Sequence, residues 1–196
     1  MRLQSTAPLV ALSAMAFAAV SGAAFAQSNW TLEGITFDQR AGWCSKNAVQ
    51  DGVSVLEIRP CDSDFPYMSV GKVVSPDQAK DLNVTDLLAN AVKYASTDEN
   101  RASILKLATD RYGACTTQSF SVDQHPIPGI SGFAKLGVYN CPAATNGRVD
   151  YRNFTTLVRR PDGAIWAVAF DYPIAPMTAD DAAMITSAIG RIAAAP

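Results

Sequence analysis

Histidine is almost absent, with one residue among 196. A Ser–His–Asp hydrolase site would therefore depend on His125, which lies in a loop two residues after Asp123. The sequence has no G-x-S-x-G motif, which presents the nucleophile in many such enzymes. A histidine in an exposed loop is usually only solvated. These deficits argue against catalysis, and a small hydrolase built on His125 remains the second alternative.

Closely spaced metal ligands are missing as well. The four cysteines, Cys44, Cys61, Cys115 and Cys141, include no C-x-x-C pair of the kind that binds zinc, and no phosphate-binding loop occurs. We therefore expect no metal and no cofactor. Four cysteines in an oxidising compartment favour two disulfides, with three possible connectivities. We predict Cys44–Cys61 and Cys115–Cys141, because each pair brackets a probable hairpin.

A strong charge of either sign is also lacking. The formal net charge is −2, from 16 basic and 18 acidic residues. Residues 1–26 contain one basic residue, Arg2, and no acid, so the rest of the chain carries about −3. Such a chain does not attract polyanions. Nucleic acids and anionic lipid surfaces are therefore poor partners for it.

The only long apolar run is near the N terminus. Arg2 precedes the run Leu9 to Val20, and Ala24-Phe25-Ala26 is typical of a cleavage site. Because no stop-transfer pattern follows, residues 1–26 are predicted to be a signal peptide, and its Ala-rich style indicates a bacterial protein. We expect residues 27–196 to form one exported domain, periplasmic or secreted, with no stable membrane anchor after cleavage.

A hairpin is the clearest structural prediction. Tyr151–Arg159 and Ala164–Tyr172 are rich in β-branched and aromatic residues, and both are typical of strands. The segment Pro161-Asp162-Gly163 between them has the composition of a three-residue turn. If Arg160 pairs with Ala164, Trp166 lies opposite Val158.

The two faces of this hairpin differ in bulk. The aromatic face, which includes Trp166, could line a ligand cleft, but such a stripe is more often core. The other face is small, with Ala167 and Ala169, and leaves room for a helix. We predict that the closing helix packs there through Ile185 and Ile189.

Helical signals follow the first strands and return at the end of the chain. They begin at Ser75-Pro76-Asp77, at Thr85, at the capping box Ser96–Glu99 and at Thr178. Further strands are predicted over 53–59, 67–74, 115–122 and 133–139. The predicted fold class is α+β, an antiparallel, meander-rich sheet covered by helices on both faces in an α/β/α sandwich.

This order of elements resembles the Mog1/PsbP-like family. The residues that carry the resemblance are Gly42-Trp43, the segment from Gly129 to Ala134, the turn at 161–163 and a final helix after Pro173. It extends over most of residues 29–194 as a succession of elements. The resemblance implies an α/β/α sandwich and a small exported accessory protein. No functional residue can be transferred through it, and the cysteine pairs depart from it.

Four residues are candidates for binding: His125, Arg159, Arg160 and Trp166. The two arginines flank the hairpin turn, where they could grip a carboxylate, although solvated charges at a sheet edge are the more common reading. We expect a non-enzymatic exported accessory or binding domain that acts on an unidentified protein or small ligand. The first alternative is an inhibitor of a secreted hydrolase, using the loop Asp123–Gly129.

Overall fold

The computed structural model describes residues 30–50, 52–124, 126–172 and 177–195. These residues form nine strands and three helices. In chain order the strands are β1 (Thr31–Leu32), β2 (Ile35–Thr36), β3 (Trp43–Gln50), β4 (Val53–Pro60), β5 (Tyr67–Val74), β6 (Thr116–Gln124), β7 (Phe133–Asn140), β8 (Arg148–Arg159) and β9 (Ile165–Asp171). The helices are α1 (Val84–Ala95), α2 (Asp98–Tyr112) and α3 (Ala179–Ala194).

Seven strands form one antiparallel sheet in the order β3-β4-β5-β9-β8-β7-β6, and β1 pairs with β2 in a separate two-stranded sheet. The predicted register of the central hairpin is confirmed, with Val158 opposite Trp166 and Phe154 opposite Phe170. Trp166 has no solvent exposure. The aromatic face of this hairpin is therefore core.

The turn of the hairpin has the chemistry that its sequence predicts. Gly163 adopts a φ of 93°, in the left-handed region that a side chain disfavours. The Gly163 amide donates to the Arg160 carbonyl at 2.9 Å. The Asp162 carboxylate accepts from the Ala164 amide, also at 2.9 Å. These bonds fix where each strand ends.

The helix termini match the predictions in part. Thr178 caps α3 in a capping box with Asp181, as expected from the sequence. A break before α2 is confirmed, but Thr97 caps this helix in place of the predicted Ser96. Asn83 caps α1 in place of the predicted Thr85. The helix predicted to begin at Ser75 is wrong, since residues 76–81 form turns.

The predicted α/β/α sandwich is wrong. The described residues are mostly a seven-stranded antiparallel sheet with a two-stranded sheet and only three short helices, which do not cover both faces. Two short strands and the extended chain after them take up space that a helical layer would occupy. The segment that starts at Ser75 contributes turns. The three short helices therefore form no continuous layer over either face of the sheet.

The prediction for the closing helix is also wrong. Ile185 and Ile192 of α3 pack into the cluster that contains Trp166, whereas Ala167 and Ala169 pack with Leu87 and its neighbours on α1. Small sheet residues do accept a helix, but the helix is α1. Both helices carry alanines on their buried sides, so the sequence pattern could not separate the two arrangements.

Both predicted disulfides are confirmed. Cys44 is bonded to Cys61 and Cys115 to Cys141. The first disulfide joins β3 to the residue after β4. The second joins the residue before β6 to the residue after β7. Each therefore links an outer strand pair of the large sheet. Two disulfides fit a protein of an oxidising compartment. None of the helices in the described ranges is long and apolar enough to cross a membrane.

Candidate functional site

A cleft of about 250 Å³ lies between the extended chain after β2 and helix α3. Its floor is apolar and buried, formed by Phe37, Met68 and Ala188. Ala183 and Met184 of α3 form one wall. Small-molecule sites are commonly apolar clefts with a few polar groups placed at their edges. This cleft has that composition.

An arginine closes one end of the cleft. The Arg40 guanidinium lies 3.2 Å from Asp181 and 3.6 Å from Asp180, at the first turn of α3. It also lies 4.8 Å from the centre of the Trp43 ring, within the range of a cation–π contact. Asp181 is held in turn by the capping box with Thr178. Arg40 is therefore positioned from three directions.

A second ionic contact closes the other end. Asp38 accepts hydrogen bonds from Ser187 and Arg191 of α3. These bonds, the one from Ser187 first and then the one from Arg191, lower the pKa of Asp38. Residues 180 and 191 are about 16 Å apart along the helix, at 1.5 Å per residue. The chain after β2 is thus fastened to α3 at two points, and the cleft lies between them.

The cleft offers surface for binding a ligand and few groups that could react with one. Of the residues that line it, Asp38, Arg40 and Asp180 are ionisable, and all three take part in ion pairs. A general base or nucleophile needs a reactive group aimed at the substrate. The lining instead provides two methionine side chains, which adapt to the shape of a ligand.

A row of buried polar side chains crosses the opposite face of the large sheet. Asn153 donates to Asp171 at 3.0 Å and accepts from Thr155 at 3.0 Å. Lys135 pairs with Asn153 in the strand register, and its ammonium lies 5.7 Å from the centre of the Tyr151 ring. Asp171 and Lys135 are each only 2% exposed. The two ionisable groups are therefore enclosed in the fold.

The row continues on the outer strands. The Gln50 amide donates to Glu57 and to the Tyr67 hydroxyl, at 2.9 Å each. Lys46 forms an ion pair with Glu57 at 3.1 Å. Burial raises the pKa of Tyr67, and the Glu57 charge raises it further. These bonds satisfy most polar groups of this part of the row.

Burial shifts the pKa values of Asp171 and Lys135 in opposite directions. Loss of solvent raises the pKa of Asp171 to about 8, although the bond from Asn153 and the charge of Lys135 oppose the shift. Loss of solvent lowers the pKa of Lys135 to about 8, against the attraction of Asp171. Strongly shifted groups often mark functional sites, but structural networks shift them too. Since this pair is buried away from the cleft, we assign it to the stability of the fold.

Arg159, a predicted binding residue, forms hydrogen bonds within the protein. Its guanidinium donates to the carbonyls of Ala79 (3.3 Å), Leu82 and Gly163 (3.0 Å). It therefore fastens the turns at 76–81 to the central hairpin. Sequence alone could not show this, because the carbonyls of Ala79 and Leu82 belong to residues about 80 positions away.

The other predicted residues are not gathered into one site. Arg160 contacts the Ala195 carbonyl at 3.4 Å and Asp162 at 3.5 Å, and Trp166 is core. His125 lies outside the described residues. In the loop Asp123–Gly129, Ile127 is buried in the main core cluster, while Pro128 and Gly129 are exposed. The inhibitor and hydrolase alternatives stay predictions.

Sequence reasoning missed both the cleft and the buried row. Arg40 and Asp38 are unremarkable in the sequence, and only the tertiary position of α3 gives them partners. Lys135 did leave a signal, since a charged residue within an apolar strand must be paired or enclosed. Nowhere in the described ranges do three or more His, Cys, Asp or Glu side chains form a group able to hold a metal ion.

No protein-family model matches the chain, and no curated protein matches it.

Proposed function

We propose that this chain is an exported, non-enzymatic binding domain, periplasmic or secreted, that holds a small ligand or a partner's side chain in the cleft between residues 37–40 and α3. The observation that carries the proposal is the apolar cleft of about 250 Å³ with an ionic contact at each end. An apolar group placed there would be removed from water at the expense of few polar contacts.

The partners of the cleft's charges favour binding over catalysis. Arg40 and Asp38 are held by groups of α3, so they shape the cleft and leave its floor apolar. The two disulfides support export, because they persist in oxidising compartments. The resemblance to Mog1/PsbP-like accessory proteins remains a prediction beside these arguments.

A pair of tryptophan variants tests the proposal. Ala183 is exposed and lines the cleft, so Ala183→Trp should fill it without disturbing the core. Thr186→Trp, also exposed on α3 but outside the lining, is the matched control. We expect calorimetry against a set of small amphipathic compounds to find ligands of the wild type. Thr186→Trp should retain them, and Ala183→Trp should weaken them by about tenfold or more, since it removes about 1.4 kcal/mol or more of binding free energy.

Two results would contradict this function. One is that no compound of the set binds the wild type. The other is that Ala183→Trp binds as tightly as Thr186→Trp, with both variants melting like the wild type, because the ligand would then lie elsewhere.

A further inference from the structure

A second, smaller cavity lies on the face of the sheet opposite the cleft. It has a volume of about 30 Å³ and is enclosed by α2, by the end of β7 and by the start of β8. Aromatic residues form much of its lining: Phe65, Tyr112, Tyr139 and Tyr151. A cavity of this size holds one or two water molecules or one small polar group of a ligand.

One of the residues that line this cavity, Tyr139, is buried and has an unsatisfied hydroxyl. Tyr139 has no solvent exposure, and its hydroxyl oxygen has no hydrogen-bond partner among the described residues. The ring lies so close to Gly137 that a Cβ there would be 2.7 Å from the hydroxyl. A buried polar group without a partner is unfavourable by about 1–3 kcal/mol. An occupant that accepts a hydrogen bond from the hydroxyl would therefore be stabilising. Burial raises the pKa of Tyr139 to about 12, so the hydroxyl is a donor at neutral pH.

The solvent side of the cavity is lined by Arg111, whose guanidinium has hydrogen-bond donors that no acceptor among the described residues occupies. The Arg111 guanidinium is 4.0 Å from Asp64 and makes no hydrogen bond within the described part of the chain. It lies 5.7 Å from the centre of the Phe65 ring and 5.5 Å from that of Tyr112, which fix its plane. Its side chain is 45% exposed. An arginine held in this way can grip a carboxylate with two parallel hydrogen bonds.

The ion pairs at this end of the protein contain more arginines than aspartates. Asp64 is shared by Arg59 and Arg111, and Asp150, which also lines the cavity, is shared by Arg148 and Arg152. These pairs hold four arginines and two aspartates, and of the six residues Arg111 and Asp150 line the cavity. An anionic group would be attracted to this end of the protein, whereas a cation would be repelled.

We propose that this cavity is a second binding site, specific for a carboxylate group. Arg111 binds the carboxylate from the solvent side, and the Tyr139 hydroxyl donates to it from the buried end. The site is independent of the proposed function, because the cleft lies on the other face of the sheet.

An NMR titration with sodium acetate tests the site. The signals to follow are the Tyr139 ring and the Ala108 methyl group, which also lines the cavity. Sodium chloride at equal ionic strength and neutral acetamide are the reference solutes. We expect saturable shifts with acetate alone. Arg111→Gln should weaken acetate about tenfold or more, since it removes a charge-assisted bond.

Two further variants separate binding from folding. Tyr139→Phe should weaken acetate by about threefold to tenfold and leave the melting temperature unchanged or higher, because the hydroxyl has no partner to lose. Arg101→Gln is the matched control: Arg101 is on the same helix and stacks on the Phe120 ring at 5.6 Å, outside the cavity. This variant should bind acetate like the wild type.

The source of the carboxylate follows from a peptide comparison. Acetyl-triglycine with a free C terminus is compared with its C-terminal amide and with acetate. Tighter binding of the free peptide than of acetate assigns the site to a peptide C terminus, and the reverse assigns it to a small acid. Equal shifts with acetate and acetamide, no shifts at all, or undiminished binding in Arg111→Gln would overturn the proposal.

Discussion

Trp166 shows how much of one residue's environment its sequence neighbours determine. Alternation along a strand places it beside Val158 on the bulky face, and the turn at 161–163 fixes which residue lies opposite. The side chain is fully buried among Phe170, Ile185 and Ile192. The residue-scale prediction of a core tryptophan is therefore confirmed.

Removing this side chain should destabilise the fold. Trp166→Ala is expected to lower the free energy of unfolding by about 3–5 kcal/mol, the range for truncating a buried aromatic residue. Urea denaturation measures the change. Val49→Ala, at an exposed position, is the control and should have little effect. An unchanged melting temperature together with lost ligand binding would mean that Trp166 lines an open site.

Other residues could not be placed from the sequence. Arg159 binds the backbone of a turn that was itself predicted to be helical. Arg111 and Tyr139 line one cavity only because α2 packs on β7 and β8. In both cases the partner depends on tertiary packing and leaves no local pattern.

At the scale of elements, strands were easier to predict than helix packing. The positions of β4 to β9 follow from alternation, β-branched residues and turn chemistry, whereas β3 was not predicted as a strand. The partner of each helix does not, because α1 and α3 present similar mixtures of alanine and larger aliphatic residues to the sheet. The sequence therefore indicates that a helix lies on the small face, but not which one.

A substitution on the small face tests that α1 packs there. Ala169 is 2% exposed and packs in the same cluster as Leu87 and Ala91. Ala169→Leu should lower the free energy of unfolding by about 1–3 kcal/mol, because extra volume forces α1 away from the sheet. Ala102→Leu, at an exposed position of α2, is the control. Hydrogen exchange should show faster exchange in α1 and not in α3; the opposite pattern would contradict the assignment.

At the scale of the whole molecule, the two edges of the sheet are tied by disulfides and its centre by hydrophobic packing. The enclosed pair of Asp171 and Lys135 adds a dependence on pH. Because the pKa of Asp171 is about 8 in the folded protein, against about 3.9 in an unfolded chain, the folded state holds a proton between these values that the unfolded state has released. This contribution to stability is complete below pH 4 and is lost as the pH rises through 8.

The free energy of unfolding should therefore fall from pH 5 to pH 8, by up to about 1.4 kcal/mol per pH unit for one proton. Lys135 does not counteract this, because its lowered pKa of about 8 leaves it protonated in both states over most of that range. The Asp171→Asn side chain retains an oxygen that can accept from Asn153 but does not titrate. The free energy of unfolding of this variant should therefore stay level or rise from about pH 5 to pH 8. Equal slopes for the two proteins, measured by urea denaturation, would contradict the shift.

The methyl group of Met184 reports directly on ligand binding in the cleft between residues 37–40 and α3. In a protein with ¹³C-labelled methionine methyl groups, a ligand found by calorimetry should give intermolecular nuclear Overhauser effects to Met184. Met177, which lies before α3 and outside the cleft lining, should show none. Contacts to Met184 that disappear in Ala183→Trp and persist in Thr186→Trp are the predicted result. Saturable binding without any contact to Met184 would contradict binding in this cleft.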